Sequence, residues 1–112
     1  SGDHNEDGAR VLNEYLKSLE CRKHIIIGMM KNKEHKKYIS YFKDIASITT
    51  VDIKNQPNAI SGLELKEKFK NIPNVNYKES IEEAIKGINI SQGDLLLVTG
   101  SLYLCSEVLN LN

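Results

Sequence analysis

The apolar positions of this chain switch back and forth between helical spacing and short unbroken runs. Val11, Leu12, Tyr15, Leu16 and Leu19 recur at helical spacing behind Asn5, Glu6 and Asp7, residues that suit a helix start, and predict a helix over residues 6–20. Ile25-Ile26-Ile27, closed by Gly28, is a β-branched run of the kind a fully buried strand carries. Tyr38, Tyr41, Phe42 and Ile45 form the stripe of a second helix over residues 34–46. Residues 48–53 are strand-like again and run into the turn residues Asn55-Gln56-Pro57-Asn58. Ser61 opens a helix carrying Leu63, Leu65 and Phe69 that closes before Pro73, and Val75-Asn76-Tyr77 follows as a short strand. Ser80 with Glu83 is a capping-box pattern for a fourth helix with Ile81, Ala84, Ile85 and Ile88 on its apolar face. Gly93-Asp94 turns into the strand Leu95 to Val98, and Thr99-Gly100-Ser101 turns out of it. Leu104, Cys105, Val108 and Leu109 then predict a final helix against the sheet. Strands joined by helical crossovers imply an α/β fold, a mostly parallel sheet with helices on both faces.

Composition narrows this picture. A length of 112 residues fits one domain, large enough to bury a core without a covalent staple. Lysine plus arginine and aspartate plus glutamate both number 15, so no net field favours nucleic acid or an anionic membrane. Cys21 and Cys105 fit no zinc or redox spacing and read as two reduced, buried thiols. The run Leu95 to Val98 is far too short to span a bilayer, and no signal segment opens the chain, so a cytoplasmic protein is expected. The absence of an initial Met suggests a processed end or a piece of a longer protein.

In open parallel sheets, ligands gather where strands end and helices begin. Three segments fall there: Asp3-His4-Asn5, Met30 to Glu34, and Thr99 to Tyr103. In the last, Gly100 permits close backbone approach, and the Ser101 hydroxyl suits either a helix cap or a bond to a ligand carboxylate. The G-x-S-x-G spacing of a nucleophile elbow is missing. His4, ahead of a helix start, suits a neutral imidazole donating to an anion, although taken alone it reads as an exposed loop residue. His4, His24 and His35 have no metal-ligand spacing, so no metal site is expected. Lys31, Lys33, Lys36 and Lys37 make a basic cluster that suits phosphate or carboxylate, although a solvated face, to which Lys36 and Lys37 belong, is the plainer reading. No phosphate-cradling P-loop occurs.

Taken together, Val98-Thr99-Gly100-Ser101-Leu102-Tyr103-Leu104 resembles the V-T-G-S-L-Y-hydrophobic signature of folylpolyglutamate and dihydrofolate synthases. His4-Asn5-x-x-Gly8-Ala9 is similar to part of that family's D-G-A-H-N-P motif. The segment from Ile27 to Glu34 is similar to its strand, G-M and acidic-Lys-acidic turn, with Asn32 in place of the leading acidic residue. Ser1 stands where the family has the aspartate that contacts nucleotide; either Asp3 supplies that contact from two residues away or Ser1-Gly2 is foreign to the natural sequence.

The resemblance implies a Rossmann-like, Mur ligase C-terminal type of domain over residues 1–112, working with an N-terminal P-loop ATPase domain that lies outside these residues. It implies an ATP-dependent ligase that converts a folate or dihydropteroate carboxylate to an acyl phosphate, which the amine of L-glutamate attacks. In that scheme Ser101, Gly100 and Tyr103 serve the glutamate, and His4 acts near the reacting phosphate. Asp3, Asn5 and Lys33 serve the nucleotide. ATP and Mg²⁺ belong to the complete enzyme and are not expected to bind this chain tightly alone, so the isolated chain is predicted inactive. A second reading is a free-standing or degenerate α/β binding module; a third, a phosphate-switch domain, fares poorly because Asp52 is a lone phosphoacceptor candidate and no strand ends in the acidic cluster needed to hold Mg²⁺.

Overall fold

A computed structural model describes residues 21–100 and the backbone of residues 107–109. Eight elements follow one another: β1 (Lys23–Gly28), α1 (His35–Ser40), β2 (Ile45–Val51), α2 (Gly62–Lys68), β3 (Val75–Lys78), α3 (Ile81–Lys86), β4 (Leu95–Gly100) and β5 (Glu107–Leu109). They build a five-stranded sheet of order β3-β2-β1-β4-β5, in which β1 to β4 run parallel and β5 runs antiparallel to β4. The expected mostly parallel α/β architecture is therefore present. The helix expected over residues 6–20 lies outside the described residues.

β1 is central and buried along its whole length, and for this reason its isoleucines run unbroken instead of alternating with polar residues. Ile25, Ile27 and Ile48 face Tyr38, Ile39 and Phe42 from α1 and its C-terminal turn, together with Leu65 and Phe69 from α2 and its C-cap. On the opposite face Ile26, Val51, Leu96 and Val98 meet Ala84, with Ile81, Ile85 and Ile88 packed around them. Lys23 is fully buried, and its ammonium donates to the carbonyls of Cys21 (3.1 Å) and Lys43 (2.7 Å). Such pairing offsets the cost of burying a polar head.

Capping was read correctly. Ser61 Oγ accepts the Glu64 N–H at 3.2 Å, and Ser80 Oγ accepts the Glu83 N–H at 3.1 Å. Boundaries moved where the chain turns. The second helix ends at Ser40, not 46, because Tyr41 and Phe42 bond back to Tyr38 and Ile39 in a tightened last turn. Asp44, at φ 55°, then swings the chain so that Ile45 enters the sheet opposite Lys23. β2 correspondingly runs from 45 to 51 instead of 48 to 53. Leu63 is 58% exposed and does not join the apolar stripe of α2. β4 continues through Thr99 and Gly100, which pair with Ile27 and Gly28, so these two residues are strand and not the turn expected there.

The final helix expected around Leu104, Cys105, Val108 and Leu109 is corrected at its end. Residues 107–109 are extended and pair with β4, Glu107 opposite Val98 and Leu109 opposite Leu96. An unpaired outer edge on β4 would leave a row of backbone donors and acceptors unsatisfied, and β5 satisfies them. Cys21 is free and half-buried, and Cys105 lies outside the described residues. Among the described residues no helix is long and apolar enough to cross a membrane.

Candidate functional site

The strand order reverses between β1 and β4: from β1 the chain crosses outward to β2 and β3, then returns to β4 on the other side. Helices depart to opposite faces at such a point, which opens a crevice at the carboxyl ends of the two strands. Those ends are Gly28 and Gly100, and they are paired in register. Gly100 has φ 139°, and a Cβ placed on it would lie 1.8 Å from the Gly28 carbonyl oxygen. A Cβ on Gly28 would lie 2.8 Å from Ile53 Cγ1. Two backbones thus meet at the switch point with no room for a side chain on Gly100. This is the close approach for which glycine is required.

Beneath this glycine pair the helix α1 fixes both flanking segments. Tyr38 OH and Thr99 Oγ1 are 2.6 Å apart and buried, tying α1 to the residue before Gly100. One turn earlier, the buried His35 places Nε2 2.8 Å from the Met30 carbonyl, where the Nε2–H tautomer donates. The segment after β1 is also stitched to the segment after β2. Lys31 N–H donates to Asn58 O at 2.7 Å, Ile60 N–H donates to Met29 O at 3.0 Å, and Met30 bridges Ala59. A cavity of about 290 Å³ opens there, lined by Met30, Lys31, Asn32 and Asn58.

The lysine cluster seen in the sequence is split by the fold. Lys31 belongs to that cavity, whereas Lys33, Lys36 and Lys37 line a separate depression of about 450 Å³ together with Glu34, His35 and Lys68. Lys33 and Lys68 are exposed. Lys68 comes from α2, more than thirty residues along, and nothing in the local sequence pointed to it.

Asp52, the lone phosphoacceptor candidate, is already engaged. Its Oδ1 accepts the Gly62 N–H at 2.7 Å and its Oδ2 accepts the Tyr77 hydroxyl at 2.5 Å. That hydrogen bond, then burial and the negative charges of Asp52 and Glu79, push the Tyr77 phenol up to about 12. This is a clasp between β2, α2 and β3. Among the described residues no three His, Cys, Asp or Glu side chains are grouped to hold a metal ion.

At the opposite end of the strands stands a second polar chain that the sequence did not suggest, since its members come from three separate segments. His24 Nδ1 lies 2.8 Å from Ser47 Oγ, and His24 Nε2 lies 2.9 Å from Asp94 Oδ2. Asp94 also accepts the Ser91 N–H at 3.0 Å. The bond from His24, followed by that from Ser91, holds the Asp94 carboxyl below its ordinary range against the opposing effect of burial. The chain Ser47–His24–Asp94 joins β2, β1 and the turn before β4, beside a polar cavity of about 350 Å³ that includes Arg22, Asn74 and Asn76.

Of the residues proposed from the sequence, Gly100 lies at the switch point and Lys33 on the rim of the basic depression. Asp3, His4, Asn5, Ser101 and Tyr103 lie outside the described residues. Ser101 follows Gly100 directly in the chain.

Residues 1–102 match the model of a family described as Mur ligase, glutamate ligase domain. Among solved structures, the chain is similar to the folylpolyglutamate synthase of Thermotoga maritima at 23% identity and TM-score 0.70, over 94% of this chain and 25% of that one. It is similar to the bifunctional folylpolyglutamate synthase/dihydrofolate synthase of Yersinia pestis complexed with AMPPNP and Mn ion at 17% identity and TM-score 0.70, over 91% and 25% respectively. E. coli FolC in complex with ADP gives 19% identity and TM-score 0.71, over 88% and 24%. The chain spans about a quarter of the length of these proteins, and at these identities the likeness speaks for the fold. A search of curated protein sequences gives no match.

Proposed function

This chain belongs to the Mur ligase family, glutamate ligase domain, and on that basis we propose that it is the C-terminal part of an ATP-dependent ligase that adds L-glutamate to dihydropteroate or a folate. The observation that carries the reading is the glycine pair. Gly100, within the sequence run Val98 to Leu104, lies at the switch point of a doubly wound sheet, where a Cβ would strike the Gly28 carbonyl. The neighbouring fold likeness to folylpolyglutamate synthases supports the substrate class.

In this reading the P-loop domain presents ATP and the acceptor carboxylate from outside these residues. The carboxylate oxygen attacks the terminal phosphorus and ADP leaves. The glutamate amine then attacks the acyl carbon, phosphate departs and the nitrogen gives up a proton. Both steps depend on alignment and on neutralising phosphate charge, not on a covalent link to the protein. Gly100, Ser101 and Tyr103 hold the incoming amino acid, and His4 orients the reacting phosphate and amine. Asp3, Asn5 and Lys33 face the nucleotide. The ammonium groups of Lys33, Lys36, Lys37 and Lys68 around one depression fit a polyphosphate, and Mg²⁺ arrives with it. Closure of this domain over its partner excludes water, and the reaction belongs to the cytoplasm.

The test is reconstitution. The chain combined with a P-loop domain of the same family is expected to release ADP only when glutamate and a folate or dihydropteroate are present. A folded, associated pair with no glutamate-dependent turnover overturns the reading and favours a degenerate binding module, which the Ser1 in place of the family aspartate also suggests.

A further inference from the structure

We propose that Tyr38 is a positioning residue for the amino-acid substrate, acting through Thr99 on Gly100 at the end of β4; this rests on the ligase reading above. Thr99 is fully buried, and it presents its hydroxyl to the same face as Ile27 and Leu97, an apolar layer formed with Met29, Ile39 and Phe42. A lone hydroxyl there carries a desolvation cost that only a partner offsets. Tyr38 OH, 2.6 Å away and itself 3% exposed, is that partner. The Tyr38 ring is held edge-on by Phe42, with centroids 5.7 Å apart, so the hydroxyl is delivered from a fixed direction.

The consequence falls on the next residue. Gly100, with no Cβ, has the widest conformational freedom of any residue, yet its φ of 139° must be kept for the backbone to clear Gly28. Anchoring the Thr99 side chain restrains one of the two neighbours through which the Gly100 backbone would drift. His35, three residues before Tyr38 and so on the same helix face, holds the Met30 carbonyl on the other side of the crevice. One face of α1 therefore ties the segment after β1 to the end of β4. Any backbone group that Gly100 presents to a substrate inherits its position from this helix.

Three variants in the reconstituted ligase test the assignment: Tyr38→Phe and Thr99→Val remove the bond, and Thr99→Ser keeps the hydroxyl. KM for glutamate is expected to rise about tenfold in the first two, with KM for ATP unchanged and Thr99→Ser near wild type. Phe69→Leu, which loosens the same core from α2's C-cap, should lower the melting temperature and leave KM for glutamate within about twofold. Equal KM values in Tyr38→Phe and Phe69→Leu overturn the proposal. A second readout separates it from the ligase reading: amide exchange of the full 112-residue chain. Tyr38→Phe is expected to accelerate exchange at Gly100 about tenfold more than at β2 amides; uniform acceleration overturns the positioning role. A wild-type ligase without glutamate turnover overturns the functional part alone.

Discussion

A methyl group separates alanine from glycine, and at Gly100 that methyl has nowhere to go. The atom it would meet is a backbone oxygen in the central strand, 1.8 Å away, which cannot rotate aside as a side chain would. The positive φ adds to the strain for any L side chain. Gly93 makes the contrast: it too has a positive φ, of 90°, but a Cβ there meets nothing within 4 Å. Gly100→Ala is therefore expected to cost about 3 kcal/mol or more in urea unfolding of the full chain, and Gly93→Ala only about 1 kcal/mol. Equal, small losses in both variants would mean that β1 and β4 separate readily at their ends. The same crowding makes Gly100 a backbone element of the crevice and not a residue with chemistry of its own.

At the scale of elements, short helices are held by specific ties more than by their length. α1, α2 and α3 have six, seven and six residues, well below what stands alone in water. Asp52 shows how one tie works: having left the β2 ladder, it bonds the first N–H of α2 and the Tyr77 hydroxyl of β3 together. Because the folded state favours the neutral phenol, Tyr77 contributes stability that is whole below its unfolded value near 10 and is lost as pH rises through about 12. Ultraviolet titration should find one tyrosine ionising near 12, and Asp52→Asn should bring it back towards 10. Tyr77 titrating in the ordinary range in the parent chain, its signal assigned by difference from Tyr77→Phe, would rule the clasp out. The alternation of elements was legible because β1 and β4 carry unbroken apolar runs, β2 and β3 are rich in β-branched or aromatic residues, and Ser61 and Ser80 mark helix starts in local sequence. Ile45 misled because it lies at helical spacing from Tyr41 and Phe42, and only the turn at Asp44 hands it to the sheet. The pairing of residues 107–109 with β4 was not legible, since a strand edge that needs satisfying is a property of the assembled sheet.

At the scale of the whole molecule, what the sequence could show of the site was what lies consecutively: Val98 to Leu104 as a run, Gly28 closing an isoleucine strand, Lys33 in a turn. What it could not show was assembled across the chain, as in Tyr38 with Thr99, His24 between Ser47 and Asp94, and Lys68 facing Lys33 around one depression. Lys68 is the strongest case, because it turns a helix-start cluster of ordinary appearance into a concave basic surface fed by two helices. A chain with zero formal net charge gains no long-range attraction for anions from its total, so any such attraction must come from local concentration of one sign. If the depression receives nucleotide phosphates, Lys68→Glu in the reconstituted ligase should raise KM for ATP about threefold to fivefold at low ionic strength. The effect should shrink as salt approaches 1 M, where the screening length falls to about 3 Å. KM for glutamate should stay unchanged, since Lys68 comes from α2 and takes no part in the Tyr38–Thr99 bond. A salt-independent loss, or one shared equally by glutamate, would remove the depression from the nucleotide's path and leave Lys68 as part of a solvated face.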